Sequence, residues 1–249
     1  MSQYELEAIA NYHCACGENP LWDERTRRMY WEDIPNGRVF VWDAATGEHR
    51  QVYDGELVGG FTLNEDGSLL LFGDHKVMRL DPAAGTAATV ATDLAVESGR
   101  FNDVMADPEG RVFAGTMGRD GQPVGGLYRV ELDGTITKVV NGTGCANGMG
   151  FTNDLKRMYW TDSTAKTIYR FDYDRKTGEL SNQTAIFQAE NDTPDGMTVD
   201  TDGHLWSARW GGYGVFKISP DGEVLDKIEL PVEKVRSEEH TSELQSLLI

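Results

Sequence analysis

A repeat limits the fold of this chain more than any other feature of its sequence. Five segments occupy equivalent places: MYWED (29–33), LLFGD (70–74), VFAGT (112–116), MYWTD (158–162) and LWSAR (205–209). Their last residues are 41, 42, 46 and 47 positions apart. One short apolar segment precedes each of them and two follow, with turn signals such as EDGS and PEGR between the segments.

Four predicted strands in each period are typical of the blade of a β-propeller. A β-sandwich has strands at a similar spacing, but nothing in that fold demands self-similarity in units of four. We therefore predict an all-β propeller of which about five blades are present. Residues 6–13 precede the first blade, and we expect them to form a further strand that closes the ring by pairing the two chain ends.

Polar residues lie fourteen or fifteen positions before the last residue of the repeated segment in four of the five repeats, and glycine holds this position in the other. These positions hold Glu18, Gly59, Asn102, Asn147 and Asp195. The first strand of every propeller blade lines the central channel, so the five positions are expected to form a ring at one mouth of that channel. Carboxylate and amide oxygens without histidine or cysteine suit Ca²⁺, Mg²⁺ or Mn²⁺, and they suit Zn²⁺ less well.

The pairs Asn147-Gly148 and Asp195-Gly196 have an alternative interpretation as turns, which is the usual meaning of NG and DG. A separate turn signal, TDGH at 201–204, lies only five residues after the second pair. Two unrelated turns would not fall in the same register of successive repeats. We therefore assign the turn to TDGH and interpret Asp195 as a ligand.

The amino-acid composition limits the classes of molecule that this chain is expected to bind. The 249 residues carry a formal net charge of −18, so nucleic acids and anionic membranes are poor partners. The first residues lack the basic and apolar regions of a signal peptide, and no apolar run approaches the roughly 20 residues of a membrane span. An odd cysteine count of three without framework spacing favours a reducing compartment, the cytoplasm. We expect a monomer or a small homo-oligomer.

The chain resembles the SMP-30/gluconolactonase/LRE family, which includes regucalcin and sugar-lactone hydrolases. The resemblance covers roughly residues 5–235 and is carried by CGENPLWD, GRFNDVMADPEGRVFAGTMG, NGMGFTND and PDGMTVDTDGHLWSA. It implies a six-bladed propeller with one divalent metal ion, Ca²⁺, Zn²⁺, Mg²⁺ or Mn²⁺, on its axis. The metal ligands that it implies are Glu18, Asn147 and Asp195.

The same resemblance implies that Arg100 and Asn102 contact the substrate. Asp120 falls where relatives have a substrate-contacting Glu, and its shorter side chain departs from that pattern. The implied reaction opens an aldonolactone such as gluconolactone by metal-activated water, with Asp195 as general base. The alternative is a non-catalytic, calcium-binding regulatory propeller of the regucalcin type.

The resemblance stops at residue 235. We expect residues 1–235 to form the propeller domain, with an incomplete sixth blade. Residues 236–249 begin RSEEHTSELQS, which is the translation of a common sequencing adapter in one frame. We expect this tail to be non-native and to lie outside the fold.

Overall fold

The computed structural model describes residues 4–92, 94, 96, 99–118 and 122–237. In this part of the chain, twenty strands form five four-stranded antiparallel sheets, each built from consecutive strands. The predicted all-β propeller with five blades is therefore confirmed. A short 3-10 helix (Ile34–Asn36) connects two strands of the first blade.

The strands are numbered in chain order. Blade 1 contains β1 (Gly17–Asp23), β2 (Arg28–Asp33), β3 (Arg38–Asp43) and β4 (His49–Asp54). Blade 2 contains β5 (Gly60–Leu63), β6 (Leu69–Phe72), β7 (Val77–Asp81) and β8 (Thr86–Ala91). Blade 3 contains β9 (Arg100–Ala106), β10 (Val112–Met117), β11 (Gly125–Val130) and β12 (Ile136–Thr143). Blade 4 contains β13 (Ala146–Phe151), β14 (Arg157–Asp162), β15 (Thr167–Asp174) and β16 (Glu179–Gln188). Blade 5 contains β17 (Thr193–Val199), β18 (Leu205–Trp210), β19 (Gly214–Ile218) and β20 (Val224–Glu229).

The second strand of each blade is apolar on both sides because both faces of a blade are covered. In β2, Tyr30 packs in the layer between blades 1 and 2, whereas Met29 and Trp31 pack on the opposite face. This alternation follows from the period of two along a strand. Similar apolar layers separate blades 2 and 3, 3 and 4, and 4 and 5. Hydrophobic burial between sheets therefore holds the blades together.

The first strands lie side by side around the channel. Strand β5 packs between β1 and β9, and β13 packs between β9 and β17. This arrangement brings the beginnings of β1, β9, β13 and β17 to one mouth. The predicted turn after β17 is also present, because the Gly203 amide donates to the Asp200 carbonyl and Gly203 adopts a left-handed φ of 84°.

The prediction of a closing strand at residues 6–13 was wrong, because these residues form no strand. They bind blade 1 through side chains instead. Tyr12 stacks on Phe40 with ring centroids 4.2 Å apart, and its hydroxyl lies 2.8 Å from His49 Nδ1. Ile9 and Tyr12 pack on the face of blade 1 that points away from blade 2. The apolar residues of this segment therefore cover a sheet face rather than extend a sheet edge.

No helix among the described residues is long and apolar enough to cross a membrane.

Candidate axial metal and substrate site

The predicted ring residues lie where the repeat places them. Glu18 and Asn147 are the second residues of β1 and β13, and Asn102 and Asp195 are the third residues of β9 and β17. Gly59 directly precedes β5. The four side chains are buried, with exposed fractions of 5–7%. Four polar side chains at this depth require compensating partners.

Irregular pairing shapes these strand beginnings. The register between first and second strands shifts directly after Glu18 and after Asn147, and also across Asp195. The register also shifts across Asn102 and Asp103 in β9, and Asn19 and Asp103 adopt left-handed φ values of 51°. Bulges of this kind redirect side chains and are frequent next to functional sites. They turn the ring residues toward the axis while the rest of each strand remains in its ladder.

A chain of hydrogen bonds links three blades at the mouth. Arg100 Nη1 donates to Asn102 Oδ1 at 2.8 Å, and Asn102 Nδ2 donates to Asn147 Oδ1 at 2.9 Å. Asn147 Nδ2 donates to Ser163 Oγ at 2.7 Å, and the Ser163 hydroxyl donates to the Pro194 carbonyl at 2.6 Å. Because the amide N–H groups are used in this way, the orientation of both amides is fixed. The Asn147 oxygen retains a second lone pair for a ligand.

Carboxylates concentrate negative charge at the same place. Burial raises the pKa of Asp195 well above its usual range, and the charge of Glu18 raises it further. Burial and the charge of Glu18 raise the pKa of Asp103 to about 8, although Arg100 opposes this shift. Burial also raises the pKa of Glu18, against hydrogen bonds from Ser237 and Arg236. Arg100 and Arg236 oppose these shifts but do not cancel them.

Two residues after blade 5 reach the ring from the gap beside blade 1. The Ser237 hydroxyl donates to Glu18 Oε2, and Arg236 Nη1 lies 3.4 Å from Glu18 Oε1. The Gly196 amide donates to the Arg236 carbonyl at 2.6 Å. Arg236 and Ser237, the first two residues of the predicted tail, therefore contact the propeller. Residues 238–249 lie outside the described part of the chain, so the rest of the tail and the domain boundary stay predictions.

Arg100 faces a cavity at the mouth. This cavity has a volume of about 390 Å³ and is lined by Leu57, Asp74, Gly99, Arg100, Met117 and Gly118. Glycine at position 59 makes room for Arg100, since a Cβ there would lie 3.1 Å from Nη1 of Arg100 and 2.0 Å from the Phe101 carbonyl oxygen. Asp120 lies outside the described residues, so its predicted substrate contact stays a prediction.

Cysteine thiols accompany the ring but do not suit a metal. Cys16 and Cys145 lie two positions before Glu18 and Asn147, respectively. Burial raises the pKa of both thiols to about 12. Because metals bind the thiolate, these neutral thiols are poor ligands at neutral pH. Cys145 instead accepts a weak contact from Asn147 Nδ2 at 3.5 Å.

A different acidic cluster lies at the other end of β17. Among the described residues, Asp200, Asp202 and His204 place three ligand atoms within 4.8 Å of one another. Asp200 already accepts hydrogen bonds from the His204 amide at 2.8 Å and from Trp206 Nε1 at 3.0 Å. Five residues of strand separate it from Asp195, which is roughly 16 Å. We interpret this cluster as a hydrogen-bonded turn.

The axial residues fit a divalent cation. Glu18 and Asp195 provide carboxylate oxygens, Asn147 provides an oriented amide oxygen, and without a cation the pKa of both carboxylates is raised in spite of the nearby guanidinium groups. Hard cations such as Ca²⁺ and Mg²⁺ prefer oxygen donors of this kind. Sequence reasoning found these three residues but missed Ser163, which fixes the Asn147 amide, because an ordinary serine after a strand carries no recognisable signal.

Sequence reasoning also missed Glu32, a fully buried carboxylate directly opposite Glu18 in the β1–β2 ladder. A signal for it exists in the repeat. The residues that precede the last position of the other four repeated segments are small and uncharged: Gly73, Gly115, Thr161 and Ala208. A glutamate in that column is an exception that the alignment of repeats could have revealed.

Comparison with known proteins shows the family of this chain. Residues 16–238 match the family described as SMP-30/Gluconolactonase/LRE-like region. The chain is 42% identical over 232 residues to pentonolactonase XacC of Haloferax volcanii, covering 92% of this chain and 78% of that protein. It is 32% identical to regucalcin of Bos taurus over 247 residues, covering 95% of this chain and 83% of that protein.

The crystal structure of a calcium-binding protein, regucalcin from Agrobacterium tumefaciens, superimposes with a TM-score of 0.86. It is 23% identical, and the match covers 94% of this chain and 81% of that one. This likeness shows the fold. The family match spans all five blades and every described ring residue, and the chain therefore belongs to the SMP-30/gluconolactonase/LRE-like family.

Proposed function

We propose that this chain is a lactonase that opens a sugar lactone of the aldonolactone class at the axial site. A divalent cation is held there by Glu18, Asn147 and Asp195. The observation that carries the proposal is the hydrogen-bond chain from Arg100 through Asn102 to Asn147, which joins a guanidinium at the cavity to a buried, carboxylate-rich centre. The family and the similarity to a pentonolactonase support lactone hydrolysis.

When bound, the cation supplies Lewis-acid chemistry to the lactone carbonyl and lowers the pKa of water at the site. Asp195 accepts the proton of the attacking water and returns it to the alkoxide that leaves when the ring C–O bond breaks. Water adds to the carbonyl carbon, so the product is the open hydroxy acid. Burial raises the pKa of Asp195 in the metal-free chain, whereas a bound cation would lower it, so Asp195 acts as the base when water or substrate changes its coordination.

Arg100 and Asn102 orient the substrate. Arg100 donates from Nη1 to Asn102 and to the Phe101 carbonyl. Its Nη2 lies 3.4 Å from Met117 Sδ. A guanidinium has five N–H donors in total. The remaining donors are suited to sugar hydroxyl oxygens in the cavity beside it. Correct orientation of the reacting atoms lowers the entropic part of the barrier. Ser163 acts through Asn147 and is a positioning residue.

The test uses the full chain and a panel of pentono- and hexonolactones, with acid release followed by a pH indicator. We expect turnover to stop in a chelator and to return with Ca²⁺, Mg²⁺ or Mn²⁺. Asp195→Asn should lower kcat by about 10²–10⁴-fold, whereas Asp200→Asn, in the turn at the other end of β17, serves as the matched control.

Full turnover by folded Asp195→Asn would contradict the base role. Binding of Ca²⁺ without hydrolysis of any lactone in the panel would contradict the lactonase proposal. It would favour the regulatory, calcium-binding alternative.

A further inference from the structure

Glu32 is the most unusual charged group in the described part of the chain. Its side chain is fully buried in β2, and neither carboxylate oxygen has a hydrogen-bond partner among the described residues. An unpartnered carboxylate at such depth is strongly disfavoured in its charged form. A residue of this kind is expected to have a compensating ligand.

The position of Glu32 indicates where that ligand lies. Glu32 pairs directly with Glu18 in the β1–β2 ladder, and paired residues of a ladder share a face of the sheet. The charges of Glu18, Asp103 and Arg100 all act on it, and burial with the charge of Glu18 raises its pKa well above the usual range. Glu32 therefore belongs to the axial group of charges.

Blade 2 has no side chain at two positions near the ring. It has glycine at the ring position, Gly59, and glycine again at the position equivalent to Glu32, Gly73. Blade 2 therefore contributes no side-chain donor to the ring, whereas blades 1, 3, 4 and 5 each do. Glu32 gives blade 1 a second carboxylate next to the blade that lacks one.

We propose that the Glu32 carboxylate is a further ligand group of the axial cation site, beyond Glu18, Asn147 and Asp195. This inference rests on the proposed function for the presence of the cation. Four carboxylates, from Glu18, Glu32, Asp103 and Asp195, face two guanidinium groups, from Arg100 and Arg236. A bound cation would favour the ionised form of all four carboxylates, and their charge would then exceed that of the two guanidinium groups by two, which equals the charge of one divalent cation. A neutral sugar would not compensate this excess.

The additional donor has a consequence for ion preference. Ca²⁺ takes six to eight oxygen ligands, whereas Zn²⁺ sites are usually complete with four donors that include nitrogen or sulfur. Another carboxylate therefore favours Ca²⁺ over Zn²⁺. Loss of the Glu32 charge should weaken Ca²⁺ binding more than it weakens Zn²⁺ binding.

The experiment titrates the metal-free full chain with CaCl2 alone in a calorimeter. Glu32→Gln keeps the size of the side chain and removes its charge, and Glu32→Val removes its polarity as a second variant. We expect both to raise the Kd for Ca²⁺ by about ten- to a hundredfold. We also expect both to raise the Tm of the metal-free protein, because a buried, repelled carboxylate is gone. Asp200→Asn is the control and should leave the Kd unchanged.

The outcomes separate this inference from the function on which it rests. An unchanged Kd in both Glu32 variants, with Ca²⁺ binding lost in Glu18→Gln and Asp195→Asn, would overturn the role of Glu32 alone. Unchanged Ca²⁺ binding in Glu18→Gln and Asp195→Asn would overturn the axial cation site itself. Weakened binding in the Glu32 variants and in the Glu18 and Asp195 variants, but not in Asp200→Asn, is the result we expect.

Discussion

Gly148 follows the ring residue Asn147, and replacing it with alanine tests how the site is held between blades 4 and 5. A Cβ at position 148 would lie 2.3 Å from the Met197 amide nitrogen and 2.6 Å from the Gly196 carbonyl carbon. Ordinary contacts begin near 3.4 Å, so the neighbouring backbone would have to move by about 1 Å. Overpacking of a well-packed contact typically costs about 1–3 kcal/mol. Because backbone rather than a flexible side chain must yield, we expect a loss near the upper end, about 3 kcal/mol.

Such a loss corresponds to a fall in Tm of roughly 6–12 °C for a chain of this size. Urea unfolding of the metal-free protein measures it directly, and Ca²⁺ titration measures the accompanying displacement of Asn147 from Asp195. Gly17→Ala is the matched control, because a Cβ there would meet Cys14 at an ordinary 3.5 Å. If Gly148→Ala unfolded within about 0.5 kcal/mol of both wild type and Gly17→Ala, the close approach of β13 to β17 would not hold the site.

Two further perturbations probe the charge of the axial site and the packing of blade 1. Because the pKa of Asp103 is about 8 in the folded state and near 3.8 in the unfolded chain, the folded, metal-free protein binds more protons between these values. Asp103 should therefore contribute a fall in stability of up to about 1.4 kcal/mol per pH unit as pH rises from 4 to 8. Urea unfolding with a chelator should show a shallower slope for Asp103→Asn, and equal slopes would contradict the assignment. Tyr12→Ala should lower stability by about 1–3 kcal/mol through the lost stacking on Phe40, with Tyr12→Phe as the milder control, and an unchanged Tm would mean that residues 6–13 do not stabilise blade 1.

The repeat made most of the fold predictable. Strand alternation, turn glycines and the spacing of MYWED and its four counterparts depend on local sequence, and local sequence decides which residues face the neighbouring sheets. The same reasoning gave a wrong prediction for residues 6–13, for a physical reason. Their apolar residues are spaced as in a strand, but they are used to cover Met29, Trp31 and Phe40 rather than to extend the hydrogen-bond ladder. Alternation of apolar residues in the sequence indicates which face is buried, but it does not indicate which backbone groups form hydrogen bonds.

The site was predictable only in part for a similar reason. The register of the repeats was enough to predict that Glu18, Asn147 and Asp195 lie at the same mouth, because each occupies the same position in its own repeat. The bond from Asn147 to Ser163 and on to the carbonyl before Asp195 depends on the distance between two blades. Glu32 lies near the end of an otherwise apolar strand, and a charged residue at that position usually indicates only that the strand ends. Contacts between repeats do not appear in the pattern of any single repeat.

The residue that follows a ring residue contacts the neighbouring blade, so the geometry of the site depends on the packing between blades. Asn19 follows Glu18, and its side-chain amide exchanges two hydrogen bonds with the backbone of Phe61 in blade 2, at 3.1 and 3.2 Å. Gly148 follows Asn147 and lies against the backbone of blade 5. One residue of each pair thus points to the axis while the next one joins two blades. A substitution that opens a contact between blades should therefore also displace a residue that binds the cation. The Kd for the cation should then rise with loss of blade packing anywhere in the ring.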